Sequence, residues 1–584
     1  PSELDSACRL VEKLHRYVRP DALIIQDLGF LPLVTQVGYK GELHLSTLAA
    51  VTHPSALPLI RERLRVDRVI LPREMSLEEV RLCAAACPPG LSLEVFVHGA
   101  LCYGISGRCY WSSFLGGRSG LRGRCVQPCR RLYSGKNGRL PWFSCRDLSL
   151  NVSVEELLGI PQVTCWKIEG RKKGPHYVYH TTKAYRLLRD ERTDPKAQRE
   201  ALALLEHALG RPTTRSTFLT GRPENPVAPR IPTASGKLVG RAVGDIKGVR
   251  VVSHKSTLLA GDLLRIGFED DSWHQTVALK RSVPRGGSIH VKGNGSALPK
   301  QGAHVYLIDR RDPKLSARIR ALRVRMRQKQ VPVVSPSLVR ARKPRPAAHA
   351  RRNEDMHVWR HPPRGRSQRV TGVWLRPGVL QKVPRASTSR VWWWLPPVVW
   401  ADEESAWHNL AKDAIKMGAR NFVLNAPWQA GLGVFADTNC TVWAGPFCNA
   451  TNPLAIEKLR SLGFQGVVIS PELGKNDFLS LPKLSPLPLG VVVEGLWPLC
   501  ISRTLAADER ADHPYTSPKG ETCWARRYGQ NYWIFPGWPL DIRAERPALA
   551  AAGYAFFIFL HEPWAKHVPR PNRTSFFNWK TRLL

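Results

Sequence analysis

The sequence predicts an α/β protein: a TIM-like (β/α) barrel, N-terminally incomplete, then a small β-barrel module and a second, diverged α/β barrel-like repeat. Three observations predict it. Residues 1–210 alternate short apolar runs with helical patterns, as parallel strands joined by helices do. Residues 230–310 switch to short β runs punctuated by Gly and Pro. Residues 371–584 return to α/β alternation and repeat the order of the first part.

The elements follow in order. Ala22-Leu23-Ile24-Ile25 reads as a buried strand ending at Gln26-Asp27. Val69-Ile70-Leu71 is the next, followed by Arg73-Glu74 and a helix opening at Ser76. Glu94-Val95-Phe96-Val97 ends at His98-Gly99, and Val163–Ile168 ends at Glu169-Gly170-Arg171. Each strand carries polar residues at its C-terminal end, the face of a (β/α) barrel that holds the chemistry. Cys83 and Cys87 share a face of the helix after Ser76 and read as core thiols. The expected division is 1–215 for the first barrel, 225–312 for the all-β module, 313–370 for an Arg/Pro-rich linker or basic arm, and 371–584 for the repeat.

The repeat shows at an offset of about 399 positions: Ile24-Ile25 falls on Val423-Leu424, His53-Pro54 on Asn452-Pro453, and Pro72 on Pro471. With small gaps, Val95–Gly99 matches Val491–Gly495, and Phe556–Leu560 takes the place of the strand at 163–168. Fourteen of the 19 Trp lie beyond residue 370, which marks a packed domain there; Trp392-Trp393-Trp394 reads as strand core.

Composition narrows the partners. Lys and Arg number 87 against 47 Asp and Glu, a formal charge of +40. Such a balance favours polyanions, RNA first. The 13 cysteines are clustered unevenly, no signal peptide opens the chain, and no run of 18 apolar residues interrupts it. The expectation is a cytosolic protein without a membrane span, whose clustered cysteines are metal or redox sites rather than disulfides. The chain opens just before a helix, which reads as a fragment lacking an upstream segment.

The chemistry concentrates in Glu94–Arg131, where Cys102, Cys109, Cys125 and Cys129 stand at C-x6-C-x15-C-x3-C among Gly, Arg and Ser. Four thiolates from one loop complete a tetrahedral or a cubane site. The loose gaps disfavour a zinc ribbon, but iron–sulfur, zinc and no metal all stay open on spacing alone. Arg108, Arg118 and Arg122 beside them would keep thiolates ionised and hold an anionic substrate. Strand-end residues His98, Glu74, Lys167, Glu169 and Arg171 are candidates for acid–base and positioning roles. Asp27 and His44 are weaker substrate-side candidates. Lys167 and Glu169 face one side of their strand and could instead pair with neighbours.

The run Glu94-x-Phe96-x-x-Gly99-Ala100-Leu101-Cys102, continuing Ser106-Gly107-x-Cys109, resembles the signature of peptidase family U32. Lys167-Ile168-Glu169-Gly170-Arg171 with Tyr177, Ser144–Leu148, and His44-x-Ser46-Thr47 resemble further blocks of it. Some members of that family are collagenases; others hydroxylate bases of transfer or ribosomal RNA, or support ubiquinone hydroxylation. The resemblance is strongest to the ribosomal-RNA branch. It implies a four-iron four-sulfur cluster on the four cysteines, prephenate as co-substrate, and Ser106 and Tyr177 on the substrate side. The expected function is RNA base hydroxylation. A collagenase-like peptidase is second: no G-x-S-x-G or H-E-x-x-H is present, and a nucleophilic cysteine needs no three companions. A non-catalytic RNA-binding or assembly factor is third. Cys440, Cys448, Cys500 and Cys523 raise the question of a second metal site.

Overall fold

The structure is a computed structural model and describes residues 2–231, 236–245, 248–253, 257–267, 273–291, 302–310, 313–327, 335–347, 353–363, 370–570, 575 and 577–579, without 172, 209, 220, 222, 437 and 508–509. The first half opens with β1 (Ala22–Ile25), β2 (Glu42–Leu45), β3 (Arg68–Ile70) and β4 (Ser92–Ala100). A hairpin, β5 (Tyr133–Gly135) and β6 (Gly138–Leu140), precedes β7 (Asp147–Ser149) and β8 (Val163–Ile168). Strands β1-β2-β3-β4-β8 pair in parallel as an open, curved half barrel. Strand β7 adds antiparallel to the end of β4 and carries the short β9 (Thr213–Thr214). The helix after β3 begins where a capping box predicts: Ser76 Oγ accepts from Glu79 N–H at 3.2 Å, and Glu79 Oε2 accepts from Ser76 N–H at 2.6 Å.

The middle of the chain forms β10 (Lys237–Asp245), β11 (Gly248–Ser253), β12 (Leu263–Ile266), β13 (Gln275–Ala278), β14 (Ser288–Val291) and β15 (Ala303–Asp309). They make one antiparallel sheet, ordered β13-β12-β15-β10-β11-β14, around a small core of their own. Helix Pro313–Arg327 follows with no buried residue.

The second half contains β16 (Glu354–Trp359), β17 (Val370–Trp374), β18 (Trp392–Trp394), β19 (Asn421–Leu424), β20 (Thr441–Ala444), β21 (Gly466–Val468) and β22 (Leu489–Gly495). It ends with β23 (Cys500–Ser502), β24 (Pro514–Thr516), β25 (Thr522–Tyr528), β26 (Asn531–Pro536), β27 (Leu540–Asp541) and β28 (Phe556–His561). Strands β16 to β22 run in parallel, β22 pairs β28, and β28 pairs β16, so eight strands close a barrel. Its first strand lies inside the 313–370 expected as linker, and so does helix Pro313–Arg327. The charged flanks hid β16, in which only Met356 and Val358 are buried. Trp392, Trp443 and Phe556, from strands on different sides of the barrel, meet inside it with ring centroids 5.0–5.6 Å apart. The lumen is therefore filled.

The repeat is structural. Ala22 pairs with Glu42 and Asn421 with Thr441, the same register exactly 399 positions on. Strand β7 meets β4 as β27 meets β22. Gly99 and Gly495 hold φ of +111° and +138°, and a Cβ on either would fall 2.4 or 2.5 Å from the carbonyl oxygen of Glu169 or Leu560. Only glycine allows that approach. Strands β16–β18 have no counterpart among the described residues of the first half.

The two halves dock with the C-terminal ends of their strands together. Helix Phe30–Val37 packs on Pro453–Ser461, while its repeat counterpart, the 3₁₀ turn Pro427–Leu432, packs on Ala56–Leu64. The segments inserted after β4 and β22 merge into one sheet, β23-β26-β25-β24-β5-β6. One continuous core runs through both halves.

Candidate active site

The concave face of the half barrel is polar. Alternation along the strands puts Ile24, His44, Arg68, Glu94, Phe96 and Lys167 on one side and the apolar residues on the helix side. With five strands the face is open, and Ile24 is 56% exposed. His44 Nε2 bonds Glu42 at 2.7 Å. Lys167 Nζ donates to Glu94 at 2.6 Å, and Arg68 lies 3.7 Å from the same carboxylate. Lys167 is thus paired within the wall of the face.

Toward the strand ends the groups converge on Arg73, which the sequence reading passed over. Its guanidinium stacks on the Phe96 ring at 4.0 Å, lies 3.9 Å from Glu169, and donates to the Ala100 carbonyl. Its Nε has no hydrogen-bond partner among the described residues. The signal was the one that singled out Glu74: a charge directly after β3. Glu74 is buried, and burial pushes its carboxyl up despite Arg73. Ser106 Oγ donates to it at 3.2 Å and accepts from Thr47 Oγ1 at 3.1 Å. Glu169 accepts from the Arg171 N–H at 3.2 Å, and Tyr177 donates its hydroxyl to the Glu169 carbonyl at 3.1 Å. Arg171 is exposed, and its Nη1 lies 3.5 Å from the space over Gly123 in the cysteine loop.

The four cysteines gather at this mouth. Cys102 is exposed yet surrounded by protein, as on the floor of a cleft; desolvation, then Cys109 and Cys129, then Glu74 raise its thiol. Desolvation pushes Cys129 up to about 12, against Arg130. Cys109 is lowered, first by a hydrogen bond from Cys500 and also by the Trp111 N–H. Cys125 Sγ accepts from the Gln127 N–H at 3.3 Å, made possible by a left-handed Gln127. Backbone N–H donors aimed at sulfur are what ligating thiolates need. Arg130 braces the loop, donating to Ser144 Oγ at 3.0 Å and to the Leu101 carbonyl at 2.7 Å. Among the described residues no three His, Cys, Asp or Glu close around one point tightly enough for a single ion. Four thiols match in number the donors that an iron–sulfur cluster takes.

Other expected residues sit elsewhere. His98 is 4% exposed between Tyr177 and Tyr185, its Nδ1 3.4 Å from the Tyr185 hydroxyl. Burial pushes its pKa down to about 4, so it is a neutral packing residue, where an acid–base group was expected. A register shift between Phe96 and His98 accounts for the changed direction. Arg108, expected on the substrate side, is 2% exposed between the halves and donates to the Pro397 and Gly107 carbonyls. Asp27 also joins the halves: it accepts from Asn452 Nδ2 at 2.6 Å and Gly29 N–H at 2.8 Å, and burial raises its carboxyl. These two line an inter-barrel cavity of about 410 Å³. Arg122 pairs with Glu3, and Arg118 is exposed.

The second half offers no comparable mouth. Arg360 fills it, stacked 4.0–4.3 Å over Trp374, Tyr528 and Trp533 and paired with Glu562 at 2.7 Å. Cys440 and Cys448 lie beyond opposite ends of β20, whose four residues span about 13 Å. Cys523 is buried near Tyr133, and Cys500 is bridged to Cys109. The second metal site is not assembled.

The chain is 33% identical over 207 residues to the tRNA hydroxylation protein P of Helicobacter pylori, covering 32% of this chain and 48% of that protein. It is 32% identical over 258 residues to the 23S rRNA 5-hydroxycytidine C2501 synthase of Escherichia coli, covering 42% and 38%. It is 30% identical over 191 residues to a collagenase of Porphyromonas gingivalis, covering 28% and 43%. The chain thus spans about half the length, or less, of these curated relatives. The family model for peptidase family U32 matches residues 1–228, the half barrel and its cysteine loop.

Proposed function

We propose that this protein hydroxylates a base of ribosomal or transfer RNA, using a four-iron four-sulfur cluster held by Cys102, Cys109, Cys125 and Cys129. The observation that carries it is the meeting of that cysteine loop with Arg73, Glu74 and Glu169 at the open mouth of the half barrel. Relatives named for tRNA and rRNA hydroxylation support it. When bound, such a cluster supplies an electron or a Lewis-acid iron. The chain's own residues do the rest. The Phe96 ring with Arg73 over it offers a flat, cationic surface for a base. Glu74, its carboxyl pushed up by burial and held by Ser106, is placed to exchange a proton. Arg73 and Arg171 suit the carboxylates of a small co-substrate such as prephenate. Helix Pro313–Arg327 carries Lys314, Arg318, Arg320, Arg323, Arg325 and Arg327, has no acidic residue, and stands free of the core; it supplies phosphate contacts.

The test is mass spectrometry of nucleosides from ribosomal and transfer RNA in cells lacking this protein. A nucleoside carrying one extra oxygen should disappear and return with the wild-type chain but not with Cys102→Ser. Unchanged RNA, together with peptide cleavage by the purified chain, would favour the peptidase instead.

A further inference from the structure

Cys500 comes from the second half, is fully buried, and lies against the cysteine loop of the first. The Tyr110 N–H donates to the Leu499 carbonyl at 2.7 Å, and the Ile501 N–H donates to the Arg108 carbonyl at 2.9 Å. Cys109 and Cys500 are therefore opposed as a non-hydrogen-bonded antiparallel pair. In such a pair the Cα atoms come closest, about 4.5 Å apart, with side chains on the same face. Disulfides span Cα separations of about 4.4–6.8 Å. A Cβ built on Gly104 would fall 3.0 Å from Cys109 Cβ and 3.1 Å from Cys500 Cβ. Both Cβ atoms thus border the same small space, which Gly104 leaves empty. The two thiols are close enough to influence each other's ionisation.

We propose that Cys109 and Cys500 are a redox-active pair that forms a reversible disulfide between the two halves, with a small-molecule disulfide such as oxidised glutathione as the oxidant. Cys109 is partly exposed and Cys500 is not, so the order of events follows. The Cys109 thiolate attacks the small disulfide and expels one thiolate. Cys500, its proton passing to the first expelled thiolate, then attacks the Cys109 sulfur and expels the second. One disulfide is reduced to two thiols while the two protein thiols are oxidised to one disulfide. The pair stands on packing alone. Its consequence rests on the cluster reading: an oxidised Cys109 is lost to the cysteine quartet, so the disulfide and the cluster exclude each other.

The experiment uses the full chain, stripped of metal, reduced, and incubated anaerobically with oxidised glutathione. Free thiols are then alkylated and the peptides mapped by mass spectrometry. A dominant Cys109–Cys500 cross-link, reversed by dithiothreitol and absent in Cys500→Val, is expected. Linkage of Cys109 chiefly to Cys102, Cys125 or Cys129, or full alkylation of Cys500 under denaturing conditions, would overturn the assignment. Reconstitution with iron and sulfide reads the consequence: the oxidised chain should take up at least fivefold less iron than the reduced one. A reduced chain that takes up no iron would sink the cluster reading, while the cross-link is judged on the peptide map alone.

Discussion

His98 shows how position in a motif and chemical role part company. It stands in the run most diagnostic of the fold, yet a one-residue shift in the pairing of β4 with β8 sends it into a tyrosine pocket. Its pKa, about 4 in the folded chain against 6.5 free, sets a pH dependence. The unfolded chain binds the extra proton, so the contribution is complete above pH 6.5 and is lost as pH falls toward 4, amounting to about 3 kcal/mol. Urea denaturation at pH 7 and pH 5 should show this decline, and His98→Phe should flatten it. The cysteines make the opposite case, since spacing alone picked out four residues that the fold gathers at one mouth. Replacing Cys129 with Ser should cut iron after anaerobic reconstitution from about four per chain to below one, with unchanged circular dichroism. Equal iron in that variant would remove Cys129 from the quartet. Arg73 was as legible as Glu74 by its place after β3; its stacking on Phe96 was not, because it depends on two strands meeting.

Single elements were readable where their physics is local. The helix after Ser76 needs only its cap, and both cap bonds form. The same Glu79 carboxylate, 2% exposed, also takes a bidentate pair from Arg503 of the second half at 2.6 and 2.8 Å. No local pattern announces that contact, because its partner is 424 residues away. Arg503→Ala would leave Glu79 buried without its counter-charge and should cost about 3–5 kcal/mol. A thermal melt with a loss under a tenth of that would show the pair to be dispensable. Strand β16 went unread for a related reason: two buried residues among charged neighbours look like a linker until neighbouring strands pair with both their edges.

For the whole molecule, charge and architecture divide the work between the halves. The second barrel is closed, filled with aromatic rings and sealed by Arg360, so it serves as the wall against which the cysteine loop is built. The basic helix Pro313–Arg327 lies outside both barrels' core. Changing Arg320, Arg323, Arg325 and Arg327 together to Gln should weaken RNA binding and lower the slope of log affinity against log salt by about 3. Fluorescence anisotropy across a salt series measures it, with the melting temperature unchanged. An unaltered slope would place the RNA elsewhere. Among the described residues no helix is long and apolar enough to cross a membrane.

Periodicity, strand-end polarity, cysteine spacing and the 399-residue offset are properties of neighbours along the chain. They sufficed for the α/β class and the repeat, and they named the four thiols as a candidate site. Which residues face the cleft was settled only by packing. Arg108 and Asp27 went to the interface, His98 to a pocket, and Cys500 beside Cys109 rather than into a second metal site. The physical reason is that two mouths pressed together bury charges and thiols from distant parts of the chain, and desolvation there decides what each group can do.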